Sequence, residues 1–128
     1  MIKGLQLRNF KCFQKSPFFA FSKINLFTGI NGRGKSTLLQ SLLILSQTAQ
    51  KDPTFSKLII NDELLSLGTY DDIKNSETPR TENIVFDILF DAPIPRITLK
   101  YKENEYDLLV ADLKRLCMST VLVHQKVE

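Results

Sequence analysis

The chain has no tryptophan and one histidine, His124, among 128 residues. A lone imidazole argues against a zinc centre and against a histidine-based catalytic triad. The only cysteines, Cys12 and Cys117, lie far apart with no ligand spacing. With no secretory signal they read as free thiols in a reducing, cytoplasmic setting. No apolar run reaches the length of a membrane span, so no membrane partner is expected. A strand pattern begins at once and leaves no room for a targeting peptide. Repeats and low-complexity tracts are also missing. The net charge of +3 permits nucleic acid as a partner without arguing for it. Hydrophobic residues at 43% and charged residues at 24% suit one folded domain with a core of its own.

Glycine is scarce, five in the chain, yet three of the five crowd into Gly29-Ile30-Asn31-Gly32-Arg33-Gly34-Lys35-Ser36-Thr37. This is G-x-x-x-x-G-K-[ST], a phosphate-binding loop. Residues 24–28 before it alternate as a strand, and an apolar-faced helix follows, which is the context the motif requires. Phosphate oxygens need several donors converging at short range. Glycines let the backbone turn its N–H groups inward, and a helix start adds unpaired N–H groups and partial positive charge. Lys35 reaches the β- and γ-phosphates, and Ser36 offers a hydroxyl to Mg²⁺. The candidate nucleotide-binding residues are Gly29, Asn31, Gly32, Arg33, Gly34, Lys35, Ser36 and Thr37, with Ser36 the metal ligand.

Residues 1–7 alternate as a strand whose parity slips at Gly4. A turn with interleaved basic and aromatic residues follows at 8–13, and Ser16-Pro17 breaks the chain. Residues 18–21 form a second strand and 24–28 a third, central one. The helix is expected over 36–49. Its stripe of Leu38, Leu42, Leu45 and Ala49, widened by Leu39, Leu43 and Ile44, implies burial on both sides. Asp52-Pro53 ends it. Residues 58–60 and 63–67 read as a hairpin turning at Asn61-Asp62. Residues 68–73 read as a loop or helical turn, and 74–83 as a mobile polar loop. A strand over 84–90 puts Ile84, Phe86, Ile88 and Phe90 on one face. The next carries Ile97, Leu99 and Tyr101, and 106–110 pairs back. Short polar turns favour an antiparallel sheet here. Residues 111–128 fit a helix or a strand equally.

The opening 2–13, the loop at 25–37 and the continuation Leu38-Leu39-Gln40-Ser41-Leu42 together resemble the N-terminal lobe of ABC-type ATPase heads, in the branch with RecF, SMC and OLD-family proteins. Asn31 before Gly32 is typical of that branch. Residues 61–73 look like predicted bacterial AAA-type ATPases of the same branch. The resemblance covers roughly residues 1–110. It implies an α/β fold: a P-loop NTPase N-terminal lobe, with a mixed sheet around the P-loop helix and an antiparallel β subdomain. It divides a single partial domain into 1–52 (strands, loop and helix), 53–110 (hairpins) and an uncertain tail at 111–128. It implies ATP and Mg²⁺ as ligands, and Arg8 or Lys11 near the phosphates.

The departures from that family shape the functional expectation. A complete head has an acidic Walker B strand, a signature sequence and a switch histidine. Residues 108–112, with the single acid Asp112, imitate a Walker B poorly, as residues 121–125 imitate a histidine strand. Gln40, Gln47 and Gln50 offer no clear Q-loop. No catalytic residue is assigned. The resemblance implies an ATP-binding part of an ATPase that hydrolyses ATP when completed, by a homodimer partner or a missing C-terminal lobe. DNA repair or phage defence, with a nuclease partner and DNA, is the setting of several relatives. The alternative is a structural or regulatory interaction module that retains a P-loop. A third reading attaches nucleic acid through Arg8, Lys11, Lys15 and Lys23 beside Phe10 and Phe13.

Overall fold

Strand β1 (Ile2–Phe10) owes its form to alternation: Leu5 and Leu7 are fully buried while Arg8 is exposed, the pattern of a strand with one face on a core. The computed structural model describes residues 2–21, 33–91 and 96–119. The parity slip at Gly4 is a real irregularity, because the register of β1 against β5 (Ile84–Phe90) shifts between Ile2 and Gly4. Gly4 also lets the Phe18 ring lie on the backbone, where a Cβ would come within 2.2 Å of the ring.

With β2 (Phe13–Lys15), β3 (Phe19–Ala20), β4 (Lys57–Ile59), β6 (Arg96–Glu103) and β7 (Val110–Ser119), these strands make one seven-stranded sheet. Its order is β2-β1-β5-β6-β7-β4, with β3 paired to β1 as well. Every pairing among the described residues is antiparallel. The strand expected at 24–28 lies outside the described residues, so the parallel part of the expected sheet does too.

Helix α1 (Arg33–Lys51) packs on one face of this sheet. Leu38, Ile44 and Leu45 are buried there with Leu5, Leu7, Phe10 and Phe86. The wide stripe is narrower than its sequence suggests. Leu39 and Leu43 remain 48% and 39% exposed, and Ala49 is exposed. Polar residues take the buried places instead. Gln47 Nε2 donates to the carbonyls of Ile59 (2.7 Å) and Leu65 (3.1 Å), and the Ile59 N–H donates to Thr48 Oγ1 at 3.0 Å. A short edge strand has backbone groups to satisfy, and the helix supplies partners that apolar side chains lack.

The hairpin expected over 58–67 does not form as a ladder. The chain reverses, but only one bridge, Asn61↔Ser66, links its arms. Strand β4 pairs with β7 instead, with Leu58 opposite Ala111 and both buried. The Asn61 side chain closes the reversed segment on Gly68, donating to its carbonyl at 2.7 Å and accepting its N–H at 2.9 Å. The return strand after β6 also differs from expectation. It starts at Val110 and runs to Ser119, because Asn104 Oδ1 accepts the N–H groups of Tyr106 and Asp107, both at 2.8 Å, and holds a broad turn.

Buried tyrosines tie the layers together. The Tyr70 hydroxyl donates to the Tyr101 carbonyl at 2.9 Å, and Tyr101 Oη donates to the Phe55 carbonyl at 2.8 Å. Burial pushes the Tyr70 hydroxyl up to about 12 and raises Tyr101 as well.

After α1, Asp52 gathers the turn into β4. Its carboxylate accepts from the Ser56 and Thr54 hydroxyls and from the N–H groups of Lys57 and Thr54. These bonds, led by Ser56, lower its pKa to about 2 from 3.8. A depressed carboxylate stabilises the fold above its unfolded pKa, and the contribution disappears as pH falls through the folded one. The Asp52 carboxyl carbon should therefore titrate near pH 2 by NMR. Asp52→Asn should flatten the loss of stability between about pH 4 and pH 2; an ordinary titration near 4 would refute the cap.

Candidate nucleotide-binding cleft

Of the loop residues, Gly29, Asn31 and Gly32 lie outside the described residues. Arg33, Gly34, Lys35, Ser36 and Thr37 open α1. The first N–H groups of a helix have no partner within it, so this turn presents donors and partial positive charge. Lys35 and Ser36 are exposed at this end, whereas Thr37 is 2% exposed.

The β1–β2 turn sits against that helix start. Phe10 pairs with Phe13, which leaves Lys11-Cys12 as a two-residue turn. Lys11 takes φ +50° and Asn9 φ +61°, a region that usually costs a side-chain-bearing residue about 1–3 kcal/mol. Their surroundings hold them there. The Lys11 N–H donates to the Ile73 carbonyl at 2.7 Å, and Asn75 Nδ2 donates to the Lys11 carbonyl at 2.8 Å. The Asn75 N–H donates to the Asn9 carbonyl at 3.0 Å, and Asn9 Nδ2 donates to the Asn83 carbonyl at 2.6 Å. Thr78 Oγ1 donates to Asn9 Oδ1 at 3.0 Å. Much of the polar segment expected as a mobile loop is thus a clamp on the turn. Cys12 completes the join, its thiol donating to Thr37 Oγ1 at 3.4 Å.

Between these elements opens a cleft of about 590 Å³. One wall is Ser36, Thr37 and Gln40 of α1, and a second is Lys11 and Cys12. The third comes from helix α2 (Tyr70–Ile73) and the segment after it, with Asp71, Asp72, Lys74 and Glu77. Thr69 caps α2: its hydroxyl accepts the Asp72 N–H while the Asp72 carboxylate accepts the Thr69 N–H at 2.8 Å. The Thr69 backbone and hydroxyl hold the Asp72 carboxyl below the usual carboxylate range. The Thr-x-x-Asp spacing at 69–72 is a visible capping signal. Nothing in the sequence, however, says that this cap faces the P-loop helix.

The structure separates the two basic residues of the first turn. Lys11 lines the cleft, whereas Arg8 lines a different hollow with Lys100 and Lys114. Phe10 is fully buried, 5.5 Å from Phe86 between ring centroids, and is not free to stack on a ligand. The imitation Walker B acid belongs elsewhere. Asp112 accepts from Lys57 at 2.9 Å and from Asn104 at 3.0 Å, and Lys57 leads in lowering its pKa. The 121–125 stretch lies outside the described residues. Among the described residues no cluster of histidine, cysteine and carboxylate side chains is arranged for a metal.

A family model described as AAA ATPase domain matches residues 1–125. The chain belongs to that family, whose fold is that of the P-loop NTPases. It is also similar to a protein of Helicobacter pylori (strain ATCC 700392 / 26695) named ATP/GTP phosphatase, 42% identical over 45 residues. That match covers 35% of this chain and 12% of the relative's length. No solved structure matches the chain. Among the described residues no helix is long and apolar enough to cross a membrane.

Proposed function

We propose that the chain binds ATP with Mg²⁺ through residues 29–37, with the nucleoside portion in the adjoining cleft. The observation that carries this reading is the placement of Lys11, Cys12, Ser36 and Thr37 around one opening at the start of α1. The donor set fits the ligand: an ammonium from Lys35, a hydroxyl from Ser36 for the metal, and helix-start N–H groups for phosphate oxygens. Charge orients the guest. Lys11 and the helix start attract polyphosphate, while Asp71 and Glu77 repel it and suit the donor hydroxyls of a ribose. Bound Mg²⁺ would neutralise charge on the phosphates.

Hydrolysis needs a group that orients water, and none of the cleft residues has been assigned that role. The chain therefore binds nucleotide, and turnover depends on Walker B and signature elements from elsewhere in the assembly, in a homodimer or with a further lobe. A cytoplasmic place and a part in DNA repair or phage defence, with nuclease and DNA, follow from the resemblance alone.

The two cysteines give a direct test. Both are exposed, but only Cys12 borders the cleft. MgATP at saturation should slow alkylation of Cys12 at least tenfold while Cys117 reacts at its original rate. Equal rates for Cys12 with and without nucleotide, in protein that binds MgATP by calorimetry, would move the nucleoside out of the cleft. No heat on MgATP addition to folded protein would remove the binding claim itself.

A further inference from the structure

Strand β7 has an open edge along its second half. Strand β4 covers its outer side at Val110, Ala111 and Asp112, and the Leu113 N–H donates to the Ser56 carbonyl at 2.8 Å. Beyond that point β7 runs on to Ser119 with β6 on its inner side. Among the described residues no strand pairs with its outer side there. The change falls at a bulge: Lys100 faces Arg115 and Tyr101 faces Leu113, so Lys114 is an extra residue. Folded proteins commonly guard an open edge with charge, proline or a bulge. Here the bulge and its two cations stand at the start of the open stretch, and Leu116-Cys117-Met118-Ser119 carries neither charge nor proline.

Two apolar rows cross the sheet and reach this edge. One runs through Leu7, Phe86, Leu99 and Leu116. The other runs through Leu5, Ile88, Ile97 and Met118. Both are buried on β1 and β5, yet on β7 Leu116 is 44% and Met118 62% exposed. The core rows thus meet water without turning polar. Leu116 and Met118 form an apolar strip beside unpaired backbone groups, which is a template for another strand.

We propose that the next strand is β7 of a second copy, paired antiparallel about a two-fold axis at Cys117. In this register Leu116 stands opposite Met118 of the partner subunit, so the first row of each copy continues into the second row of the other. Charge selects the arrangement. Parallel pairing in register would set lysine on lysine at 114 and arginine on arginine at 115, and like charges directly opposite are destabilising. An antiparallel pair centred on Leu116 would make the two arginines at 115 diagonal neighbours. Centred on Cys117, it places Arg115 opposite position 119 and separates the two arginines by about 14 Å. The same surface serves both copies, so the contact closes at two. Five residues a side fall far below a standard interface, so the dimer is weak and the edge is free in dilute solution. None of these residues lines the nucleotide cleft.

Sedimentation equilibrium of the full chain without nucleotide should show a monomer at about 10 µM and a growing share of dimer towards about 500 µM. Directly opposed residues of an antiparallel pair lie about 4.5–5.5 Å apart between Cα atoms, within disulfide reach. Diamide, which joins two thiols and is itself reduced to the hydrazine, should therefore link concentrated Cys12→Ser into a dimer through Cys117. Cys117→Ser, which keeps the exposed Cys12, should stay monomeric under the same treatment. The register has its own test. Leu116→Lys and Met118→Glu should each weaken association about fivefold or more. The double variant should recover it, because each new lysine then faces a new glutamate of the other copy. Thermal melts confirm that each variant is folded. The proposal is overturned by a monomer at about 500 µM, by equal linking through Cys12 and Cys117, or by a double variant that associates no better than the single ones.

Discussion

Lys35→Ala is expected to raise the Kd for MgATP at least 100-fold while leaving the melting temperature unchanged or slightly higher. The direction follows from where Lys35 stands. It is exposed in the first turn of α1, so its removal opens no cavity, and alanine is the better helix former. What disappears, on the proposed reading, is the ammonium that would meet the polyphosphate. Truncating one partner of a tightly held charge pair costs about 2–5 kcal/mol, and about 2.7 kcal/mol is already a hundredfold. Calorimetry reads the affinity, and circular dichroism reads the melt. A tenfold loss or less would assign phosphate binding to the backbone alone. Unchanged binding would take the phosphates away from this loop. If Lys35→Ala abolishes nucleotide binding yet leaves capture of a partner protein untouched, the P-loop serves the fold in that interaction and the alternative of an interaction module gains.

Local pattern was readable. Residues 84–90 form a β-branched and aromatic run, and Ile84, Phe86 and Ile88 are buried on the face expected for them, with Val85 buried as well. The end of α1 was readable too, because Asp52-Pro53 stops a helix and Lys51 is its last residue. Partner choice was not. Asn61-Asp62 reads as a hairpin turn, and the chain does reverse there, but which strand β4 joins depends on Ala111 and Val110, some fifty residues away. Strand β7 stayed undecided because its middle, Lys114 to Met118, is exposed on both faces and shows no strand alternation. The bulge at Lys114 breaks what period remains. The cleft followed the same division. The P-loop motif pointed to Ser36 and Thr37, which line it, and to Lys35, which does not; Cys12, Asp71 and Asn75 are brought to it by the fold, through contacts such as the hydrogen bond from Asn75 to Lys11. The helix stripe misled for a physical reason: leucine at 39 and 43 carries no mark of which side the sheet lies on.

Phe86→Ala should destabilise the fold by about 3–5 kcal/mol, against a total of about 5–15 kcal/mol for a domain of ordinary stability. Phe86 is fully buried on β5, between Leu7 and Leu99 on the neighbouring strands. Its ring lies 5.5 Å from that of Phe10 and 6.1 Å from that of Tyr101, between centroids. Alanine forfeits the transfer energy of the ring, both aromatic contacts and the filling of the space between them. Urea unfolding of the variant should move the midpoint with little change in slope. Leu43→Ala is the matched contrast: a large apolar residue of α1, 39% exposed, expected to cost under about 1 kcal/mol. If the two variants cost the same, the core is not centred on β5, and the stripe read from the sequence was right after all. The site should feel Phe86→Ala as well. Phe10 ends the strand that carries Lys11 and Cys12 into the cleft, so a vacancy behind it loosens the turn held at positive φ. Below its own unfolding transition, Phe86→Ala should therefore alkylate faster at Cys12 than the parent chain, with Cys117 as the internal standard. A faster Cys12 would tie the packing of the sheet to the geometry of the cleft, and an unchanged one would leave the clamp through Asn75 sufficient by itself.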